Sequence, residues 1–375
     1  MSVDEIASMR SRYKTLRANY KNSIIDTKNK AWEYFCSTNS NNFGFTFKTA
    51  FGKLSSPTNL HQISTGDPAS LFHSKVSLLL DSHFPSGSSL IPLVFNDCSP
   101  PSCLSPSEVE VVFRKLHGGK APGIDLIDYA IWKALYNSFP NLLFRFFNLC
   151  IQFNHFPSIF KNTKIKFLLK HGRDPSSTLS YRPICLLSTL GKILERIFLN
   201  RFFRWISKNN ILHRSQFGFR ENRSCIEAMD NLVHHIKNTR VNKHTVSTFI
   251  DIKSAFDNVD WSTLFHIFHS YRIPLHFQKF IHSYLTNRVI IWTDNTFTIK
   301  KQIFKGCPQG SVLSPTLWNI YFNPILSLIS ELFLLQASAD DLAVVSFGLS
   351  HRELEDNTNK ILSLVNSKLS ELNLQ

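Results

Sequence analysis

Three acids stand where a carboxylate is costly to keep. Asp251 ends the apolar run 246–250, inside Ser247-Thr-Phe-Ile-Asp-Ile-Lys-Ser-Ala-Phe-Asp257. Asp340 and Asp341 lie in Ser338-Ala-Asp-Asp341, a turn between the apolar segments 333–337 and 342–347. Such carboxylates are expensive to desolvate unless a cation or a donor partners them. Oxygen-only ligands suit hard Mg²⁺, which keeps waters and substrate phosphates as the rest of its shell. Carboxylates converging from two neighbouring strands suit two such ions about 3.5–4 Å apart, poised for an in-line phosphoryl displacement. Each piece is weak alone: an Asp-Asp pair in a hairpin turn is usually turn chemistry. Between the acids lies Gly306-Cys-Pro-Gln-Gly-Ser-Val-Leu-Ser-Pro315, whose Gly and Pro residues force a turn before a helix and let Gln309 project at a base or sugar.

The elements that must carry these residues alternate in type. A basic helix is expected over 8–36, ending near an Asn/Ser cluster at 37–42. Residues 52–106 are rich in Ser and Pro and read as a connector with at most short helices, one over 68–80. A helix opens at 107–116 with Ser/Pro start chemistry and is broken by Gly118–Gly123. Amphipathic helices follow over 125–139 and 142–153, then a short strand over 164–169. Leu190, Ile193, Leu194, Ile197, Phe198, Phe202 and Trp205 keep helical spacing, so 188–207 is a helix with a buried stripe. A strand runs through 246–251 into its acid, and Asp294-Asn295 is a hairpin signal between 288–293 and 297–304. A long helix over 312–332, two strands over 333–337 and 342–347, and a helix over 351–372 complete an α+β reading, with the strands gathered in the C-terminal half.

The 375 residues carry 42 Lys and Arg against 27 Asp and Glu, a net +15, and 43% are hydrophobic. That much apolar material excludes a disordered chain, and the excess base points to an acidic partner, nucleic acid first. The charge is uneven. Residues 161–223 hold 14 basic and 3 acidic side chains, a net +11, and residues 1–53 hold 9 and 4, a net +5. In the first strip the bases are interleaved with Phe167, Tyr181, Phe202, Phe203, Trp205, Phe217 and Phe219, a mixture that suits a strand-binding surface. The seven cysteines form no CxxC pair and no Cys/His group with zinc spacing, so free thiols in a reducing compartment and no zinc are expected. The N-terminus has no secretory core, and the most apolar stretch, 325–335, carries Glu331 and is too short to span a bilayer, so no membrane partner is expected.

Taken in order, six blocks resemble the reverse transcriptases of non-LTR (LINE-type) retrotransposons, nearest the jockey-like elements. They are Gly119-Lys-Ala-Pro-Gly-Ile-Asp125, Tyr181-Arg-Pro-Ile-Cys-Leu-Leu-Ser-Thr-Leu-Gly-Lys-Ile-Leu-Glu-Arg196, Gln216-Phe-Gly-Phe-Arg220, Phe249-Ile-Asp-Ile-Lys-Ser-Ala-Phe-Asp257, Gly306–Pro315 and Ala339-Asp-Asp-Leu342. Together they cover about two-thirds of the chain, roughly 105–345. The resemblance implies a right-hand polymerase with fingers over 107–240 and a palm with an antiparallel sheet over 241–375, behind a basic extension at 1–51 and the connector at 52–106. It implies nucleotidyl transfer from a dNTP to the 3′-OH of a DNA primer on an RNA template, with two Mg²⁺ (or Mn²⁺). Asp251, Asp340, Asp341 and the carbonyl of Ile252 would hold the ions. Phe256 matches a steric gate against a 2′-OH, and Gln309 and Gly310 match the lining of the nascent base pair. Lys170 and Arg182 match triphosphate-binding positions, Arg220 a template contact, and Asp257 a structural acid. An intracellular protein is expected, acting in the nucleus, with no localisation signal in view.

Two departures stand out. Ser338 occupies a position usually aromatic in the family. The family also continues past this sequence into a last palm block and a thumb, and carries an endonuclease upstream. The expectation is therefore a fragment whose thumb is missing, and the competing reading is a catalytically inactive, nucleic-acid-binding remnant. A group II intron enzyme is a third reading, and the 181–196 block argues against it.

Overall fold

The computed structural model describes residues 3–38, 60–64, 71–85, 101–119, 121–170, 172–294, 297–328 and 332–374. Residues 39–42 of the Asn/Ser cluster, most of the Ser/Pro-rich stretch, Cys98, Asn295 and Glu331 lie outside them. The chain divides into two units, Met1–Leu60 and His61–Gln375. The first carries α1 (Val3–Thr38), the basic helix, whose side chains at 8–27 are exposed.

In the second unit α2 (Phe72–His83) arises within the stretch read as a connector, and it buries Val76, Leu79, Leu80 and His83. Its spacing of apolar residues makes it part of the core rather than a spacer. Next come α3 (Pro106–Arg114), α4 (Tyr129–Ser138) and α5 (Pro140–Gln152). The start of α3 is a capping box: Glu108 N donates to Ser105 Oγ (3.4 Å) while Ser105 N donates to Glu108 Oε2 (2.9 Å). Strands β1 (Asn162–Leu169) and β2 (Tyr181–Leu186) precede α6 (Thr189–Lys208), in which Ile193, Leu194, Ile197, Phe198 and Phe202 are buried at the expected spacing. Then follow α7 (Cys225–Thr239), β3 (His244–Asp251), α8 (Trp261–Ser270), α9 (Leu275–Leu285), β4 (Val289–Thr293) and β5 (Thr298–Gln302). The chain continues through α10 (Ser314–Leu326), β6 (Phe333–Ser338), β7 (Asp341–Gly348) and α11 (His351–Glu371).

Two sheets result, a four-stranded one in the order β2-β1-β4-β5 and a three-stranded antiparallel one in the order β3-β7-β6. The strands are thus not confined to the C-terminal half: β1 pairs in parallel with β4, and β2 pairs with β1. Pro183 hides β2 from a sequence reading, because proline breaks a strand pattern; β2 is an edge strand, where proline is tolerated. Helix α10 is shorter than expected at both ends: 312–313 belong to the turn before it, and it closes at Leu326. Its Leu317, Trp318, Ile320, Tyr321 and Phe322 are fully buried, the pattern of a helix enclosed on every side. It packs against α8, α11 and β6.

The basic strip is not one surface. Phe167, Tyr181, Phe202 and Phe217 are buried, so most of its aromatics are core. Lys161 is buried as well, and burial, with Arg288 nearby, lowers its pKa to about 8. Arg201 and Arg204 are paired with Glu108, and Arg223 with Glu227. Among the described residues no helix is long and apolar enough to cross a membrane.

Candidate active site

The register of the small sheet brings the acids together. Asp251, the last residue of β3, lies opposite Asp341, the first of β7, and Asp341 in turn lies opposite Ser338 of β6. Ala339 and Asp340 form the connecting turn, with Ala339 at φ 62°. A second segment clamps this turn. Ala339 N donates to Gln216 Oε1 (3.2 Å), Gln216 Nε2 to Ala339 O (3.3 Å), and Phe217 N to Ala337 O (2.8 Å). Trp318 Nε1 donates to Ala339 O as well (3.0 Å). The approach is so close that a Cβ on Gly218 would lie 2.0 Å from Ala339 N, which explains the glycine of Gln216-Phe-Gly-Phe-Arg220.

Beside the turn opens a cavity of about 550 Å³. Eight of the ten residues named from the sequence line it: Asp251, Ile252, Asp340, Lys170, Arg182, Phe256, Gln309 and Gly310. Asp341 adjoins it as the cross-strand partner of Asp251. Arg220 is not in the lining; its Nη1 donates to the carbonyls of His213 (2.8 Å) and Gln216 (3.3 Å) in its own loop. Acids and bases thus face one another. Burial pushes the Asp340 carboxyl up, and the neighbouring charges of Asp341 and Asp251 add to this, while Arg182 opposes it. Among the described residues no three His, Cys, Asp or Glu side chains are gathered closely enough to hold a metal ion, so the acids share one sheet end without a closed ligand shell. The donors these acids offer are all oxygen, the type that hard divalent cations such as Mg²⁺ take.

The 306–315 loop is anchored on both sides. Gly306 N donates to Val259 O (2.7 Å), Cys307 N to Phe256 O (2.8 Å), and Cys185 N to Gln309 O (3.0 Å). Gly310 sits at φ 109°, and a Cβ there would meet Cys185 O at 2.9 Å. The end of the loop is held by Glu195 of α6, a buried acid whose Oε2 accepts from Ser311 Oγ (2.5 Å), Val312 N (2.7 Å) and Leu313 N (3.1 Å). It satisfies donors at the entry to α10 and suits the positive end of that helix. Phe256 stacks on Trp318 (5.5 Å between centroids) and meets Phe219 edge-on (5.8 Å). Burial raises the Cys185 and Cys307 thiols to about 12, which leaves them unreactive.

Sequence reasoning missed Glu195, Gln216, and the cavity residues His83, Arg173 and Lys253. A signal existed for Glu195, an acid set within the buried stripe of α6; none existed for His83.

Comparison with known proteins supplies the family. The profile of the reverse transcriptase (RNA-dependent DNA polymerase) family matches residues 168–375, more than half of the chain. The putative 115 kDa protein in type-1 retrotransposable element R1DM of Drosophila melanogaster is 32% identical over 289 residues, 77% of this chain and 28% of that protein. The RNA-directed DNA polymerase from mobile element jockey of the same fly is 32% identical over 256 residues, 66% of this chain and 28% of that protein. The Pol polyprotein from type-1 retrotransposable element R1 of Bradysia coprophila is 27% identical over 369 residues, 96% of this chain and 36% of that protein. The chain belongs to the reverse transcriptase family, as the six blocks imply, and spans about a third of the length of these relatives.

Proposed function

We propose that the chain carries the fingers and palm of an RNA-directed DNA polymerase of a non-LTR retrotransposon, adding dNTPs to a DNA primer on an RNA template in the nucleus. The observation that carries this reading is the register that sets Asp251 beside Asp341, with Asp340 in the adjoining turn, facing Lys170, Arg173 and Arg182 across one cavity. The segment 107–240 would act as fingers, 241–375 as palm. Asp251, Asp340, Asp341 and the Ile252 carbonyl would hold two Mg²⁺, which supply charge neutralisation to the attacking and leaving oxygens. Lys170, Arg173 and Arg182 bind the triphosphate, arginine in the bidentate manner phosphate favours. Gln309 and Gly310 border the new base pair. Phe256, held by its stack on Trp318, would be the ring that excludes a 2′-OH. With little covalent chemistry left to the protein, positioning and charge supply the catalysis.

The test is metal-dependent extension of a DNA primer on RNA, in a protein extended to the length of its relatives. Asp251→Asn and Asp340→Asn each remove a ligand charge with little change of shape. Losing even about 4–5 kcal/mol of transition-state stabilisation lowers the rate a thousandfold or more, while binding of an RNA–DNA hybrid persists. Asp257→Asn costs far less. No extension with Mg²⁺ or Mn²⁺, even after Ser338→Tyr, would leave the nucleic-acid-binding remnant as the reading that stands.

A further inference from the structure

Asp257 lines the cavity with its side chain only 9% exposed. Its Oδ1 accepts from Gln309 Nε2 at 2.9 Å. A carboxylate oxygen accepts and an amide nitrogen donates, so this bond decides which way the Gln309 amide faces: nitrogen toward Asp257, Oε1 left for another partner. The Gln309 backbone is pinned at the same time by the bond from Cys185. On the far side of the acid, Oδ2 stands 3.9 Å from Nδ1 of His83, whose side chain is 6% exposed. His83 Nε2 lies 3.2 Å from the Thr178 carbonyl. That carbonyl can only accept, so Nε2 carries a hydrogen. The imidazole also packs on Phe167, 5.8 Å between centroids. Three side chains thus stand in a row from α2 through the 256–258 turn to the 306–315 loop, ending at the cavity. Gln309 and Asp257 are hydrogen-bonded, while His83 and Asp257, at 3.9 Å, make a charge contact that requires a hydrogen on Nδ1 as well. The first member of the row lies outside the residues that the family profile matches.

We propose that Asp257 and His83 are positioning residues for Gln309. They hold its side chain so that the amide oxygen, an acceptor, meets a donor on the incoming nucleotide, a sugar hydroxyl or a base amino group. Helix α2 is then part of the nucleotide site. This rests on the polymerase reading above.

The experiment is a double-mutant cycle read in single-nucleotide extension, with KM for the dNTP and kcat separated. Asp257→Ala raises KM about tenfold or more, the loss expected for a hydrogen bond to a charged group, with a smaller change in kcat. Added to Gln309→Ala, Asp257→Ala raises KM no further. Asp257→Asn recovers most of the loss, because its amide oxygen still accepts. His83→Ala raises KM by less than Asp257→Ala. Gln309→Glu sets two carboxylates face to face and raises KM; combining it with Asp257→Asn restores donor and acceptor in exchanged order and rescues KM without a change of shape. Effects of Asp257→Ala and Gln309→Ala that multiply, or an exchanged pair no better than Gln309→Glu alone, overturn the proposal. A second readout needs no activity: the Gln309 side-chain amide resonance in the nucleotide-free protein shifts in Asp257→Ala and in Asp257→Asn. An unmoved resonance overturns the positioning role even if the wild type extends primers. A wild type that extends nothing sinks the polymerase reading, and the resonance still decides the row.

Discussion

Gly218→Ala tests whether the 215–219 clamp sets the geometry of the acids. The added methyl carbon would stand 2.0 Å from Ala339 N, 2.6 Å from Ala339 Cα and 2.9 Å from the Ser338 carbonyl carbon. These are backbone atoms and cannot swing aside. Reaching an ordinary carbon contact of about 3.5 Å requires the two segments to part by more than about 1 Å. That movement strains the bonds of Gln216 and Trp318 to Ala339 and the bond from Asn319 to Gly218 O. Overpacking of this kind costs about 1–3 kcal/mol and each of the three weakened hydrogen bonds about 1 kcal/mol, so about 4–6 kcal/mol of stability is lost. The catalytic loss is larger than the melting shift suggests, because about 1 Å of misplacement costs on the order of a hundredfold in rate. Thermal melting and primer extension, measured together, read both effects. Gly118→Ala is the control, since a Cβ there meets nothing within 4 Å. A Gly218→Ala protein that melts and extends like the wild type would refute the clamp.

Phe256→Val opens space beside the sugar and should admit ribonucleotides; unchanged rNTP-to-dNTP discrimination would make the Phe256–Trp318 stack plain core. Hybrid binding should weaken with salt at a log–log slope of about −0.7 to −0.9 per phosphate neutralised, and a slope near zero in a filter-binding titration would remove Lys170, Arg173, Arg182 and Lys253 as phosphate contacts. Glu108 is held down from 4.5 to about 2, first by its hydrogen bond from Arg201. Its folded value is depressed, so the stability it contributes is present above about pH 4.5 and lost as pH falls toward 2. Glu108→Gln should therefore lower the urea midpoint at pH 7 and make little difference near pH 2; equal effects at both would refute the linkage.

What the sequence made legible was local. Asp251, Asp340 and Asp341 stand at strand ends marked by apolar runs, and the stripe of α6 follows helical spacing. What it concealed depends on distance along the chain. Glu195 meets Ser311 across 116 positions, Gln216 meets Ala339 across 123, and His83 meets Asp257 from a segment whose composition reads as a connector. No periodicity records such pairs. The aromatics between the bases misled for a related reason: Phe167, Tyr181 and Phe202 alternate with charges because strands and helices have two faces, and theirs is the inner one, while Phe217 is buried in the 215–219 segment.

The pairing of β3 has a consequence on the ribosome. Among the described strands β3 touches only β7, and the two acids that face each other across that pair, Asp251 and Asp341, are 90 positions apart. At about 5–20 residues per second, roughly 5–20 s separate their synthesis. During that interval His244–Asp251 emerges with both edges open, Val246 and Phe249 uncovered and no proline to blunt it. A nascent strand of that kind recruits whatever extended chain is nearest. Slower translation between 252 and 340 should therefore lower the soluble yield, and a chaperone that shields extended apolar segments should raise it.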